Sequence, residues 1–356
     1  MRENGLPVLV IGGGPGGLEA ARTVAALGTP VVLVERRHRL GGTPDAEHYA
    51  KLTHHFRDAE EALGELIAAV TSQPLVEVLT RSEVTACEGE VGNFRVAIRT
   101  PEGTQERTVG AIIVATGFQH FDPGRETQLY NYYSFPDVVT LSDMEAMLKA
   151  HQVVRPSNGQ PPERVAFIQC VGSRDRQIGN EFCSKVCCGI ASKQAIEIKQ
   201  QLPNARVFIF YIDMRMYGYW ENELYWPAQE QYKVNYVKGI VSEILPKGDR
   251  LLIRGEDTTM GRPMEITVDL VVLSVGMEPS SGTRQMARLL GIAQNKYGYI
   301  EAGGPSGLDP VATSRPGIFV VGAAARPADL DDTFATAGLA AARAVAVLRQ
   351  AAVAAD

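Results

Sequence analysis

The chain has 356 residues, 45% of them hydrophobic and 21% charged, with a formal net charge of −6. That length supports two domains with separate cores, and the composition is that of an ordinary globular protein. Mild acidity without a dense Lys/Arg cluster excludes nucleic acid as a partner, and no apolar run reaches the ~18 residues of a membrane span.

The N-terminus enters a strand within a few residues, which leaves no room for a signal peptide. The five cysteines, odd in number and mostly clustered, do not make a disulfide framework. Together these features point to a reducing cytoplasm.

Residues 6–11 form an apolar run that opens into Gly12, Gly13, Gly14, Pro15, Gly16 and Gly17. A helical pattern follows through Leu18, Ala21, Val24 and Leu27, and a second apolar run, Val31–Val34, is closed by Glu35. This is a βαβ unit with a dinucleotide fingerprint in register. The glycines let the backbone approach a pyrophosphate at a helix N-terminus. Glu35, with Arg36 beside it, is placed for the ribose. Leu40, Gly41, Gly42 and Thr43 come next. That signature resembles the flavin side of the two-dinucleotide-domain flavoproteins, the glutathione- and thioredoxin-reductase superfamily.

Residues 45–70 read as mostly helical, with His54 and His55 on a solvated face. From 75 to 115 the period changes to 2, with a turn at Pro101, Glu102 and Gly103, and the stretch ends in Ala115, Thr116 and Gly117. Cys87 on this meander reads as a buried structural thiol. An aromatic- and proline-rich connection at 118–143 leads to a short helix at 144–150. A polar linker at 155–162 then starts a second cycle. A strand at 165–168, a helix from 188 to 201, a strand at 207–212 closed by Asp213, and another meander lead to Ser274, Val275 and Gly276.

The chain therefore reads as an α/β protein with two Rossmann-like halves, each with a β-meander insertion. Residues 1–150 and 280–356 are expected to form the flavin domain and 151–279 the second domain. The halves differ at one point. Where the first has its glycine loop, the second has Gln169, Cys170 and Val171, with Gly172 alone. The closing strand ends at Gly322 and Ala323, where the superfamily usually has Gly-Asp. Asp332 is placed to cap a last helix from Thr333 to about 350.

Cys170, Cys183, Cys187 and Cys188 lie within nineteen residues. Scattered structural thiols, a redox disulfide, structural zinc and an iron–sulfur cluster are the four readings. No C-x-x-C occurs, and only Cys183 and Cys187 fit a zinc half-site. A cluster tolerates the irregular spacing, because each thiolate binds a different iron.

The spacing C-x12-C-x3-C-C, the flanks Ile168–Arg174 and Cys187–Ala195, and Tyr211 to Arg215 resemble the family of A-type subunits of heterodisulfide reductase. So do Gly322 to Ala325 and the run Asp331, Asp332, Thr333. This resemblance implies FAD held by Gly12, Gly14, Pro15, Gly16, Gly17, Glu35, Arg36, Gly41, Gly42, Thr116, Gly117, Gly322, Ala323, Asp332 and Thr333. It also implies one 4Fe-4S cluster on Cys170, Cys183, Cys187 and Cys188. The methanogen subunits carry further ferredoxin-like domains, so the chain is similar to the short form of sulfur-oxidising heterodisulfide-reductase-like complexes. That form implies an oxidoreductase converting between two-electron flavin and one-electron cluster chemistry. Its partners would be B- and C-type subunits, lipoate-binding proteins and NAD, around a homodimer. Lys193 would place a cation near flavin N5. A free-standing NAD(P)H-dependent disulfide or quinone reductase, or a flavin-bearing scaffold docking through the aromatics at 217–226, are the competing readings.

Overall fold

The computed structural model describes residues 5–53, 55–304 and 306–355. They fall into two compact units. The first comprises Met1–Ala46, Glu61–Gln119 and Glu278–Asp356; the second comprises Glu47–Glu60 and His120–Met277.

The first unit is built on a five-stranded parallel sheet in the order Ile318–Val320, Ala111–Val114, Val8–Ile11, Val31–Val34 and Val76–Leu79. Its three inner strands are buried along their whole length, as a sheet covered on both faces requires. Helices Pro15–Ala26 and Leu330–Ala355 pack Leu18, Val24, Ala337 and Ala341 on one face. On the other lie the antiparallel meander Glu83–Glu90, Asn93–Thr100 and Gly103–Val109 and the helix Ser281–Leu290.

The second unit carries a seven-stranded mixed sheet. Its order is Arg262–Val268, Arg250–Asp257, Asn235–Lys247, Arg206–Tyr211, Arg164–Val171, Leu270–Val275 and Val138–Thr140. The long strand Asn235–Lys247 serves two purposes. Its first residues run parallel to Arg206–Tyr211, and the rest pair antiparallel with Arg250–Asp257. The second meander is thus continuous with the main sheet, whereas the first forms a sheet of its own. Helix Cys187–Gln201 makes the crossover between strands Arg164–Val171 and Arg206–Tyr211.

Two units of Rossmann type with meanders agree with the sequence reading, and the boundaries differ. Residues 120–150, expected in the flavin domain, belong to the second unit, because Val138–Thr140 pairs in parallel with Leu270–Val275 at its edge. Helix Leu141–Lys149 follows, with a capping box between Thr140 and Asp143. Residues 45–70 are not one helix. Two helices, Gly42–Ala46 and Ala59–Thr71, flank an irregular excursion in which His48, His55 and Phe56 have positive φ. His55 is exposed there, with Nδ1 3.4 Å from Glu223, and His54 lies outside the described residues. Cys87 is half-buried, and burial raises its thiol pKa. Among the described residues no helix is long and apolar enough to cross a membrane.

Candidate functional site

In the first unit four stretches of backbone converge. Helix Pro15–Ala26 starts from Gly14 with proline in its first turn and no side-chain cap, so its first amides are available to an anion. A Cβ on Gly17 would lie 1.8 Å from the carbonyl oxygen of Gly12. One on Gly42 would lie 2.6 Å from the Cα of Gly14, and ones on Gly16 and Gly322 would each lie 2.9 Å from Thr333. The Gly41 amide donates to the Gly13 carbonyl at 2.8 Å. The result is a cradle lined by main chain, which suits a pyrophosphate.

Glu35 is buried at the rim. Its Oε2 accepts from the Gly13 amide and its Oε1 from the Arg37 amide, each at 2.7 Å. These bonds fix the carboxylate and leave lone pairs for ribose hydroxyls. Arg36 is exposed and reaches the start of helix Ser281–Leu290, with Nη1 3.6 Å from where a Cβ of Gly282 would lie. Thr116 and Gly117 are tied to the same helix. The Thr116 and Thr283 hydroxyls are 2.8 Å apart, and Thr283 donates to the Gly117 carbonyl at 2.8 Å. Ala323 sits in the short 3-10 helix Gly322–Ala324. The last helix begins at Leu330, earlier than expected, and Asp329 Oδ1 caps it by accepting from the Asp332 amide at 2.8 Å. Asp332 is therefore in the first turn and is not the cap.

The four clustered cysteines come together in the second unit. Cys170 lies within strand Arg164–Val171, at a register shift between Ile168 and Val171 against the neighbouring strand. Its φ is +65°, and this left-handed bulge turns it out of the ladder. The turn after it is packed tightly. Gly172 has φ +72°, and a Cβ there would meet the Phe121 ring at 2.0 Å. Cys187 and Cys188 open the crossover helix, and Cys183 lies on the loop before it. All four are free thiols.

The four thiols are near enough to act on one another's charge. Burial pushes the Cys187 thiol well up, and negative charge on Cys170, Cys188 and Cys183 adds to the effect. Cys188 is pushed up to about 11, again first by burial, with Cys170 and Cys183 contributing. Cys170 is raised by burial and by Cys183, against the pull of Arg174. Four such thiolates need positive charge to coexist. Some comes from the surroundings: Arg174 Nη1 is 4.0 Å from Cys170 Sγ, and Arg215 hydrogen-bonds Cys183. Asp213 pairs with both arginines and holds them in place. The Lys185 amide also donates to Cys183 Sγ at 3.3 Å. Among the described residues no three His, Cys, Asp or Glu side chains converge as a shell for a single ion. A cluster asks for a looser arrangement, in which each thiolate has its own iron.

Residues 6–165 match the family model described as pyridine nucleotide-disulphide oxidoreductase. The A-type iron–sulfur subunit of the CoB–CoM heterodisulfide reductase of Methanocaldococcus jannaschii is 32% identical over 92% of this chain and 62% of its own length. One of two such subunits of Methanopyrus kandleri is 31% identical over 96% of this chain and 64% of its own. The chain is homologous to the A-type subunits of heterodisulfide reductase. It spans less than two thirds of the length of these relatives, and only 37% of the one from Methanothermobacter thermautotrophicus, where identity is 40%. Among solved structures, thioredoxin reductase of Lactococcus lactis superimposes with a TM-score of 0.64 over 97% of this chain and 99% of its own, at 19% identity. The T. acidophilum enzyme gives 0.63 at 17% identity, over 99% of this chain and 100% of its own. These two likenesses show the fold alone.

In this heterodisulfide reductase homologue Lys193 is not an exposed helical lysine. It is 1% exposed, and its ammonium is held by Glu145 at 2.5 Å and Glu197 at 3.1 Å. The aromatic stretch at 217–226 divides. Trp220 is buried against Gly189, next to Cys188, while Tyr217, Tyr219 and Trp226 are exposed. Sequence reasoning missed Asn180, whose side chain donates to the Gly172 carbonyl at 3.0 Å, and Ser184, which accepts from the Met277 amide at 2.8 Å. Polar residues between two cysteines were the available signal.

Proposed function

We propose that the chain is the FAD- and 4Fe-4S-bearing electron-transfer subunit of a heterodisulfide-reductase-like complex acting in cytoplasmic oxidation of sulfane sulfur and thiols. One observation carries this reading: the bulged end of the central strand brings Cys170, and the start of the crossover helix and the loop before it bring Cys187, Cys188 and Cys183, to the position at which α/β sheets bind ligands. The name of the M. jannaschii relative, which calls it an iron–sulfur subunit, supports it.

Bound FAD would supply two-electron chemistry and the cluster one-electron chemistry. The glycine cradle would hold the pyrophosphate, and Glu35 the ribose. The cysteines would hold the cluster, and Arg174 and Arg215 would balance its negative charge. Partners in this reading are B- and C-type subunits, with lipoate-binding proteins as sulfur carriers, NAD as a candidate acceptor, and a second copy of the chain. The first turn of the crossover helix carries cysteines where a nicotinamide cofactor would need a phosphate loop. That favours a relay over a self-sufficient NAD(P)H reductase.

An anaerobic titration with dithionite tests the proposal. The holoprotein is expected to take about three electrons, two into flavin and one into the cluster. An endpoint of about two, with bleaching confined to the flavin bands, contradicts it.

A further inference from the structure

The excursion Glu47–Glu60 leaves the first unit right after helix Gly42–Ala46 and clusters wholly with the second. Its own bonds are few. The Leu52 amide donates to the Arg57 carbonyl at 2.9 Å and the Ala59 amide to the Ala50 carbonyl at 3.1 Å. Glu47 accepts from the Ser142 hydroxyl at 2.5 Å and lies 2.8 Å from His120 Nε2, and a buried lysine holds the segment further along. Lys193 Nζ donates to the Lys51 carbonyl at 2.9 Å and pairs with Glu145 Oε1, while Glu145 Oε2 accepts from the Ala50 amide at 2.9 Å. Gln194 holds Glu145 from the side, donating to Oε1 at 2.6 Å and to the Leu141 carbonyl at 2.9 Å. Lys193 and Glu197 are side by side on the crossover helix, and both are at least 95% buried.

Ordinary packing does not require this arrangement. An ammonium taken out of water is costly unless it is well paired, and here it donates to Lys51 and Glu145 and lies 3.1 Å from the Glu197 carboxylate. Ala50 and Phe56 pack on the same apolar core and add surface without direction. The hydrogen bonds of Lys193 and Glu145, with the contacts of Glu47 to Ser142 and His120, therefore set where the excursion lies on the second unit.

We propose that Lys193 is a positioning residue that clamps the excursion following Gly41 and Gly42 onto the helix that carries Cys187 and Cys188. The clamp joins, through covalent neighbours, the segment leaving the flavin signature and the segment holding half of the cysteine set. Lys193 is five residues past Cys188, and the excursion starts five residues past Gly42. Electron exchange between the two cofactors then depends on Lys193 without its touching either. This rests on the function proposed above and replaces the role for Lys193 beside flavin N5.

The test uses the full chain with its bound cofactors, as wild type, Lys193→Met, Lys193→Arg and Glu145→Gln. Amide exchange is read at Ala50, Leu52 and Ala59 against the strand Arg164–Val171. Lys193→Met is expected to speed exchange in the excursion by about tenfold or more and to leave the strand unchanged, because local opening is separable from global unfolding. Lys193→Arg is expected to restore most of the protection. Stopped-flow mixing with substoichiometric dithionite then follows redistribution between flavin and cluster bands. At equal iron and flavin content, Lys193→Met is expected to slow that step by about tenfold, as a small misplacement of reacting groups does. If Lys193→Met does not fold, Glu145→Gln serves in its place with the same expectations. Unchanged protection of the excursion overturns the clamp. A loosened excursion with an unchanged rate overturns the positioning role. Wild-type protein without iron sinks the proposed function instead, and the exchange measurement still decides the clamp.

Discussion

A Gly17→Ala chain is expected to retain less than about a tenth of the flavin of the wild type, because the new methyl would occupy the space of the Gly12 carbonyl oxygen. The contact of 1.8 Å cannot be relieved by a rotamer change, since both partners are fixed to main chain. Either the helix Pro15–Ala26 moves away from the strand Val8–Ile11 or the loop between them opens. In both cases the first-turn amides no longer point into the cradle formed with Gly42 and Thr333. The measurement is flavin released per chain on heat denaturation, paired with thermal unfolding in the presence of added FAD. Gly64→Ala is the control. It lies in helix Ala59–Thr71 with open space around its Cβ position, so it should keep its flavin and gain about 1 kcal/mol of helix propensity. Full flavin content in Gly17→Ala would show that the glycine loop is not the binding element.

The second large effect concerns the cysteines. Cys188→Ala is expected to abolish bound iron and keep flavin near one per chain, because the two sites belong to separate compact units. Cys188 opens the crossover helix, and charge on Cys170 and Cys183 bears on its thiol, so its loss removes one member of the set. Cys87→Ala should change neither cofactor, since Cys87 lies on the first unit's meander, half-buried and paired across strands with Val96. Iron analysis and the absorbance near 420 nm after anaerobic purification distinguish the outcomes. Cys188→Ala with wild-type iron would remove this residue from the ligand set.

The parts legible in the sequence are those fixed by short-range rules. A glycine run between two apolar strands allows few other structures, so Gly12 to Gly17, Val31–Val34 and Glu35 stand out directly. Alternation of period 2 likewise marks both meanders. The excursion Glu47–Glu60 reads as helix because its composition permits one. Its path instead depends on His120, Ser142, Glu145 and Lys193, which lie far along the chain. Strand Val138–Thr140 is three residues long, too short to show a period. Asp329 and Asp332 are equally good caps by type, and only the geometry of the Asp332 amide separates them. Lys193 reads as a cation for the flavin; Glu197 at i+4 is a visible partner, but its pairing with Glu145, far back in the chain, is not legible from spacing. The cysteine pattern is conspicuous in the sequence. The bulge at Cys170 and the flanking Arg174, Asp213 and Arg215 show how the fold supports it.

The central claim is that the second unit exchanges the phosphate loop of a nicotinamide site for a one-electron centre on Cys170, Cys183, Cys187 and Cys188. It is tested most directly by counting iron, acid-labile sulfide and flavin in anaerobically prepared protein and recording its EPR spectrum after reduction. The account predicts about four irons and four sulfides per flavin, with a single signal of a reduced 4Fe-4S centre. Zinc in place of iron, or a chain with flavin and no metal after anaerobic reconstitution with iron and sulfide, would contradict it.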